Sequence, residues 1–295
     1  DPGVDDAVAI MLALASPEVE LAAVCTVFGN VAVPDTTRNA GRLLALCGRE
    51  DVPVAPGAAR PLVHVDARRA ADWHGDDGLG GRAAALPAPT VAPDPRRALG
   101  VAVDVLRTAD EPVTLAAIGP LTNVALLLAT HPDLAAERIG RIVVMGGALG
   151  PGNVTGAAEF NAHCDPEAAH RVLSQSDIPV TMVPLDITLR CPAGPEWLDG
   201  LAAAGPRCAE LNQVINHYRA AYRTRYGVDA VAVHDAVAVM EAIQPGTLTT
   251  TTMRIDVACD RGPARGATVP TPAGTGVAVA TDVEPTAVLA EILQR

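Results

Sequence analysis

Asp1-Pro2-Gly3-Val4-Asp5-Asp6-Ala7-Val8-Ala9-Ile10 opens the chain and sets its frame. Pro2 suits the first turn of a helix, where its missing N–H is not needed, and Gly3 lets the backbone pass close to another group. From Val4 to Leu14 apolar residues recur at helical spacing, so an acidic turn runs straight into a helix. Positions four apart share a helix side, which places Asp1 near Asp5 and Asp6. One carboxylate at a helix N-terminus is favourable by about 0.3–1 kcal/mol. Three repel one another, by about 1 kcal/mol per close pair in water and several times that in a protein-like dielectric. A bound hard cation relieves that repulsion; a capping Asp beside two solvated acids is the other reading. A strand normally leads into such a turn, so residues upstream of Asp1 are expected.

Outward from this turn the chain alternates. Residues 19–28 read as a buried strand ending at Gly29-Asn30, residues 36–46 as a helix closed by Gly48, and residues 52–54 as a short strand. After a Pro/Gly/Ala/Arg-rich stretch, 57–95, come a helix (95–108), a strand (113–118), the turn Gly119-Pro120-Leu121-Thr122-Asn123, a helix to Thr130, and a strand from Ile139 to Met145 ending at Gly146-Gly147. Residues 179–185 form a further strand. The pattern predicts an α/β fold: an open, mostly parallel, doubly wound (Rossmann-like) sheet. Residues 192–226 read as helical, so a small helical cap is expected around 192–228, within a single domain spanning 1–295. Residues 247–257 and 276–280 add antiparallel strands, and residues 285–294 a last helix. In such sheets ligands bind beyond the carboxyl ends of the strands, where Asp1, Asn30 and Thr122 are placed.

The chain has 295 residues, 49% hydrophobic but only 2% aromatic, so its core is built of Ala, Val and Leu. All 22 basic residues are Arg, read here as codon bias, and the net charge is −12. That balance argues against nucleic acid, which needs a basic face, and against an anionic membrane surface. The six cysteines show no CxxC spacing, which disfavours a zinc site or a disulfide framework and points to a reducing, cytoplasmic setting. No apolar run reaches transmembrane length.

Three further stretches carry polar chemistry. Trp73-His74-Gly75-Asp76-Asp77-Gly78 lies in the long 57–95 loop, where His74 can reach a ligand. Asn153 and Ala158-Glu159-Phe160-Asn161 cluster hydrogen-bonding groups suited to a polyol. Asp165-Pro166-Glu167, just beyond, reads as an ordinary helix start. Val231-Ala232-Val233-His234-Asp235-Ala236 embeds an ionisable pair in an apolar segment, and a buried Asp is costly unless paired or metal-bound; a core His beside a helix-start Asp is the alternative.

Together these motifs resemble the inosine–uridine-preferring nucleoside hydrolases. Asp1-Pro2-Gly3-Val4-Asp5-Asp6-Ala7 is similar to that family's signature. Gly29-Asn30, His74-Gly75, Leu121-Thr122-Asn123, Met145-Gly146-Gly147, Asn153, Ala158-Glu159-Phe160-Asn161 and Val233-His234-Asp235 match its other motifs in order. The resemblance implies calcium-dependent cleavage of the N-glycosidic bond of ribonucleosides to base and ribose. It implies that Asp1, Asp6, the Thr122 carbonyl and Asp235 hold Ca²⁺, with Asp1 also the general base. It implies that Asp5, Asn30, Asn153, Glu159 and Asn161 grip the ribose, that Met145 packs against it, and that His234 protonates the leaving base, with His74 lying over it. The implied partner is a small-molecule ribonucleoside, and the implied assembly a homodimer or homotetramer. Tyr222 and Tyr226 are the only base-pocket aromatics evident in the cap. Competing readings are a hydrolase of another N-ribosyl compound and a non-catalytic nucleoside or ribose binder. Phosphoryl transfer is remote, since no Walker-type loop or Lys is present.

Overall fold

The computed structural model describes residues 1–64 and 69–295. Residues 65–68, inside the long loop of the sequence reading, lie outside the described residues.

Strands β1 (Val24–Thr26) and β2 (Val54–Pro56) form a parallel pair. The main sheet has the order β3–β4–β5–β10–β8–β9, from β3 (Val113–Ala117), β4 (Ile139–Met145), β5 (Val180–Val183), β8 (Thr249–Val257), β9 (Thr268–Pro270) and β10 (Gly276–Asp282). The first four in that order run parallel, and β8 and β9 add antiparallel pairs. A two-residue antiparallel pair, β6 (Pro192–Ala193) with β7 (Val231–Ala232), flanks the cap. The α/β architecture is thus the expected one, mostly parallel in its central sheet.

Alternation along β4 shows why helices lie on both faces. Ile142 and Val144 point into one apolar cluster, with Leu106, Leu128, Val172 and Leu173. Val143 and Met145 point into the other, with Val4, Val8, Leu12, Val237 and Met240. Successive strand residues face opposite sides, so an apolar run demands cover on both. No helix among the described residues is long and apolar enough to cross a membrane.

Two elements differ markedly from their sequence expectation. The strand expected over 19–28 is regular only at Val24–Thr26; residues 18–22 are exposed or half-buried and, among the described residues, pair with no strand. The helix expected over 192–226 is broken into β6 and the helices Pro195–Ala203 and Pro206–Tyr226, each beginning on a proline. Proline removes a helical N–H and so starts helices rather than continuing them. Beyond the cap, β7 ends at Ala232, and Val233 leads into the helix His234–Ile243.

Candidate active site

Two helix N-termini converge. Helix Val4–Ala15 carries Asp5 and Asp6 in its first turn, and helix His234–Ile243 carries Asp235 in its own. The helices pack together, and their fully buried Ala7, Ala236 and Ala238 permit close approach. One oxygen from each of Asp5, Asp6 and Asp235 lies within 4.8 Å of the other two, and all three side chains are buried. Acids from opposite ends of the chain thus share one small volume at the positive ends of two helix dipoles. Near them, His74 Nδ1 lies 3.8 Å from Asp5 Oδ1 and the Asp1 backbone nitrogen 3.1 Å from Asp6 Oδ1.

That crowding shows in their acidity. Burial, reinforced by the charge on Asp6, pushes Asp5 up from 3.8 to about 8. Burial, with the charges of Asp5 and Asp6, raises Asp235 well above the ordinary carboxylate range, and Asp235 is hydrogen-bonded to Asp6. Retained protons here do what a cation's charge does: they offset repulsion between buried carboxylates. An anionic, all-oxygen donor set of this kind fits a hard divalent ion.

Asp1 sits beside this group rather than in its centre. Its Oδ2 accepts from the Asn30 backbone N–H at 2.7 Å, and Asn30 Nδ2 donates to both Asp1 O and Asp6 Oδ2 at 3.1 Å. Gly29 and Gly119, from the turns after β1 and β3, back the Asp1 carboxylate so closely that a Cβ would lie 1.9 Å and 2.3 Å from its oxygens. Gly3 N donates to Asp6 Oδ2 at 2.9 Å. Thr122 is buried at the start of helix Thr122–Thr130.

His74 Nδ1 accepts from Val4 N at 3.0 Å, which caps the first helix and puts the ring proton on Nε2. His234 is held at both nitrogens, Nδ1 by Thr188 Oγ (2.6 Å) and Nε2 by Tyr222 OH (3.2 Å). Burial lowers both histidines to about 4, so their rings are neutral at pH 7. Glu159 is buried and caps helix Phe160–Cys164. Its Oε1 accepts from Asn161 N, and its Oε2 from Gly147 N and Ala162 N. Asn161 Nδ2 donates to Met145 O at 3.1 Å. Asn153 is exposed in the preceding loop.

Residues 1–290 match the family described as inosine-uridine preferring nucleoside hydrolase. The chain belongs to that family. The hydrolase is 43% identical over 271 residues to the pyrimidine-specific ribonucleoside hydrolase RihA of Klebsiella pneumoniae, covering 91% of this chain and 86% of that one. It is 43% identical over 252 residues to RihA of Citrobacter koseri, covering 85% and 79%. Among solved structures, a plant nucleoside hydrolase superposes with a TM-score of 0.93 at 31% identity over 100% of this chain and 96% of that one. A purine-preferring ribonucleoside hydrolase from Gardnerella vaginalis gives 0.92 at 31% over 99% and 95%.

The hydrolase also has an aromatic wall that sequence reasoning saw only in part. Trp73, at 5.3–6.0 Å between centroids, meets Tyr218, Tyr222 and Tyr226, and the His74 ring stacks on Tyr218 at 5.2 Å. With three Tyr, two Trp and two Phe in the chain, most of its aromatics gather here. Trp73 and Tyr218 were missed. The signal for Tyr218 was its four-residue spacing with Tyr222 and Tyr226, which puts all three on one helix side.

Proposed function

We propose that this ribonucleoside hydrolase uses Ca²⁺ to cleave pyrimidine ribonucleosides to base and ribose. The observation that carries the reading is the buried meeting of Asp5 and Asp6 with Asp235. Asp6, Asp235, Asp1 and the Thr122 carbonyl hold the ion. When bound, Ca²⁺ supplies a Lewis acid that acidifies an adjacent water and fixes a vicinal diol. The remaining steps fall to the chain's own residues. Asp1 takes the proton from the attacking water. Asp5, Asn30, Asn153, Glu159 and Asn161 bind the ribose hydroxyls, and Met145 packs against the sugar. These anionic and amide oxygens stabilise the oxocarbenium-like charge of the transition state.

His234 donates to the leaving base. With its ring neutral in the buried pocket, it does so as an N–H hydrogen-bond donor rather than as an imidazolium that transfers a proton, and the Tyr222 hydroxyl at Nε2 holds the ring in place. The wall of Trp73, His74 and Tyr218 flanks the base. Preference for uridine and cytidine is supported by the pyrimidine-specific relatives at 43% identity. We take residues 1–295 as one domain, with its cap in helices Pro195–Ala203 and Pro206–Tyr226, acting in a homodimer or homotetramer in the cytoplasm.

A substrate panel read by reducing sugar tests this. Uridine and cytidine should give base and ribose in equal amounts, with the Asp6→Asn variant inactive. Ribose from no nucleoside at saturating calcium, or only from a different class of riboside, overturns the assignment.

A further inference from the structure

Asp165-Pro166-Glu167 reads as a plain helix start, and one oxygen of Asp165 does that work, accepting from Ala168 N at 3.1 Å. A neutral Ser, Thr or Asn serves a cap equally well. The other oxygen does something a cap does not require. Asp165 Oδ2 accepts from Thr122 Oγ at 2.6 Å and from Leu62 N at 2.9 Å. Asp165 is completely buried, and these three donors, none of them a cation, are the hydrogen bonds it receives among the described residues. A buried carboxylate is expensive to keep; its extra reach joins the turn after β3 to the loop after β2.

The neighbouring residue extends the junction. Asn123 Nδ2 donates to Thr26 O at 2.8 Å, and its Oδ1 accepts from Ala58 N at 2.9 Å. The turn that contains Thr122 therefore cannot shift without breaking contacts to β1 and to the loop after β2. That same turn contains Gly119, which backs the Asp1 carboxylate.

We propose that Asp165 is a positioning residue of the cation site: by accepting from Thr122 Oγ it fixes the turn that bears the Thr122 carbonyl and supports Asp1. This rests on the cation reading given under Proposed function. Asp165 touches no reacting atom; it acts through Thr122, and it sets how well the site is organised before an ion arrives.

Calorimetric titration of Ca²⁺ into the chelator-stripped full chain tests it, alongside the melting temperature of each ion-free variant. Thr122→Val removes the donated proton and keeps the backbone; its calcium Kd should rise about 10–100-fold, as is usual when a ligand's outer hydrogen-bond partner is lost. Thr122→Ser restores the hydroxyl and should return Kd to within about threefold of wild type, while Asp165→Asn, still able to accept from Thr122, should fall between. A role confined to helix capping predicts a different result: Asp165→Asn, an equally good cap, melts as wild type does without calcium, and Thr122→Val binds calcium as wild type does. That result overturns the proposal alone. Failure of the wild-type chain to bind any calcium overturns the cation reading and this proposal with it.

Discussion

Replacing Asp235 with Asn should change stability in opposite directions with and without calcium. Three carboxylates with oxygens within 4.8 Å of one another repel by about 3.5 kcal/mol per fully ionised pair at an effective dielectric of about 20. Asp235 takes part in two of the three pairs, so its neutralisation removes up to about 7 kcal/mol of repulsion. Protonation already discharges much of this near neutral pH, since Asp5 is raised to about 8 and Asp235 is raised with it. The ion-free variant should therefore melt no lower than wild type, and above it as the pH approaches 9. With calcium the order reverses. An ion present at about 100 times its Kd stabilises wild type by about 2.7 kcal/mol, or about 5 °C at roughly 2 °C per kcal/mol for a chain of this size. The variant, short of one anionic ligand, should lose most of that shift. Differential scanning calorimetry in chelator and in excess calcium reads both arms. A variant that melts several degrees below wild type in chelator, or that keeps the full calcium shift, refutes the shared-cation reasoning.

Other consequences are separately measurable. Glu159→Gln replaces a carboxylate that accepts three backbone N–H bonds with a group that turns an NH₂ towards some of them; urea unfolding should show a loss of about 1–3 kcal/mol, and a loss under 0.5 kcal/mol would show those bonds to be dispensable. Trp73→Ala opens the wall against Tyr218, Tyr222 and Tyr226; KM for uridine should rise about tenfold, the order of one lost ring contact, with kcat less affected, whereas an unchanged KM would remove the wall from base binding. Burial pushes the thiols of Cys25 and Cys191 up to about 11 from 9.0. Both keep their protons in the folded state, so their contribution to stability is complete below pH 9 and is lost as pH rises from 9 through 11. Iodoacetamide at pH 8 should label neither until the protein is unfolded, and rapid labelling of either in the folded protein would contradict that burial.

The parts legible in the sequence were those whose signal is local. Residues 142–145 form an apolar run buried on two sides, and β4, expected over 139–145, occupies those residues. Gly48 closes helix Val33–Cys47 in the left-handed conformation that its position suggested. Residues 19–23 carry similar apolar composition, but only Val24–Thr26 find a partner, in β2; pairing, not propensity, sets that strand's length. Within 192–226 the prolines at 195 and 206 were the visible breaks. At the site, the order of motifs named the acids, while their convergence came from two packed helices distant in sequence. Asp165 read as a cap because its hydrogen bond to Thr122 spans 43 residues, and no local pattern encodes such a contact. Trp73 was obscured by a weakly periodic loop, though it lies in the short helix Ala71–His74.

A crystal structure of the calcium-loaded chain puts the account at greatest risk. It should show a single ion with carboxylate oxygens of Asp6 and Asp235 among its ligands and the ribose side of the pocket open beside it. An ion bound elsewhere, with the acids of the two helices still sharing protons in saturating calcium, would contradict the claim that these residues converge to hold it.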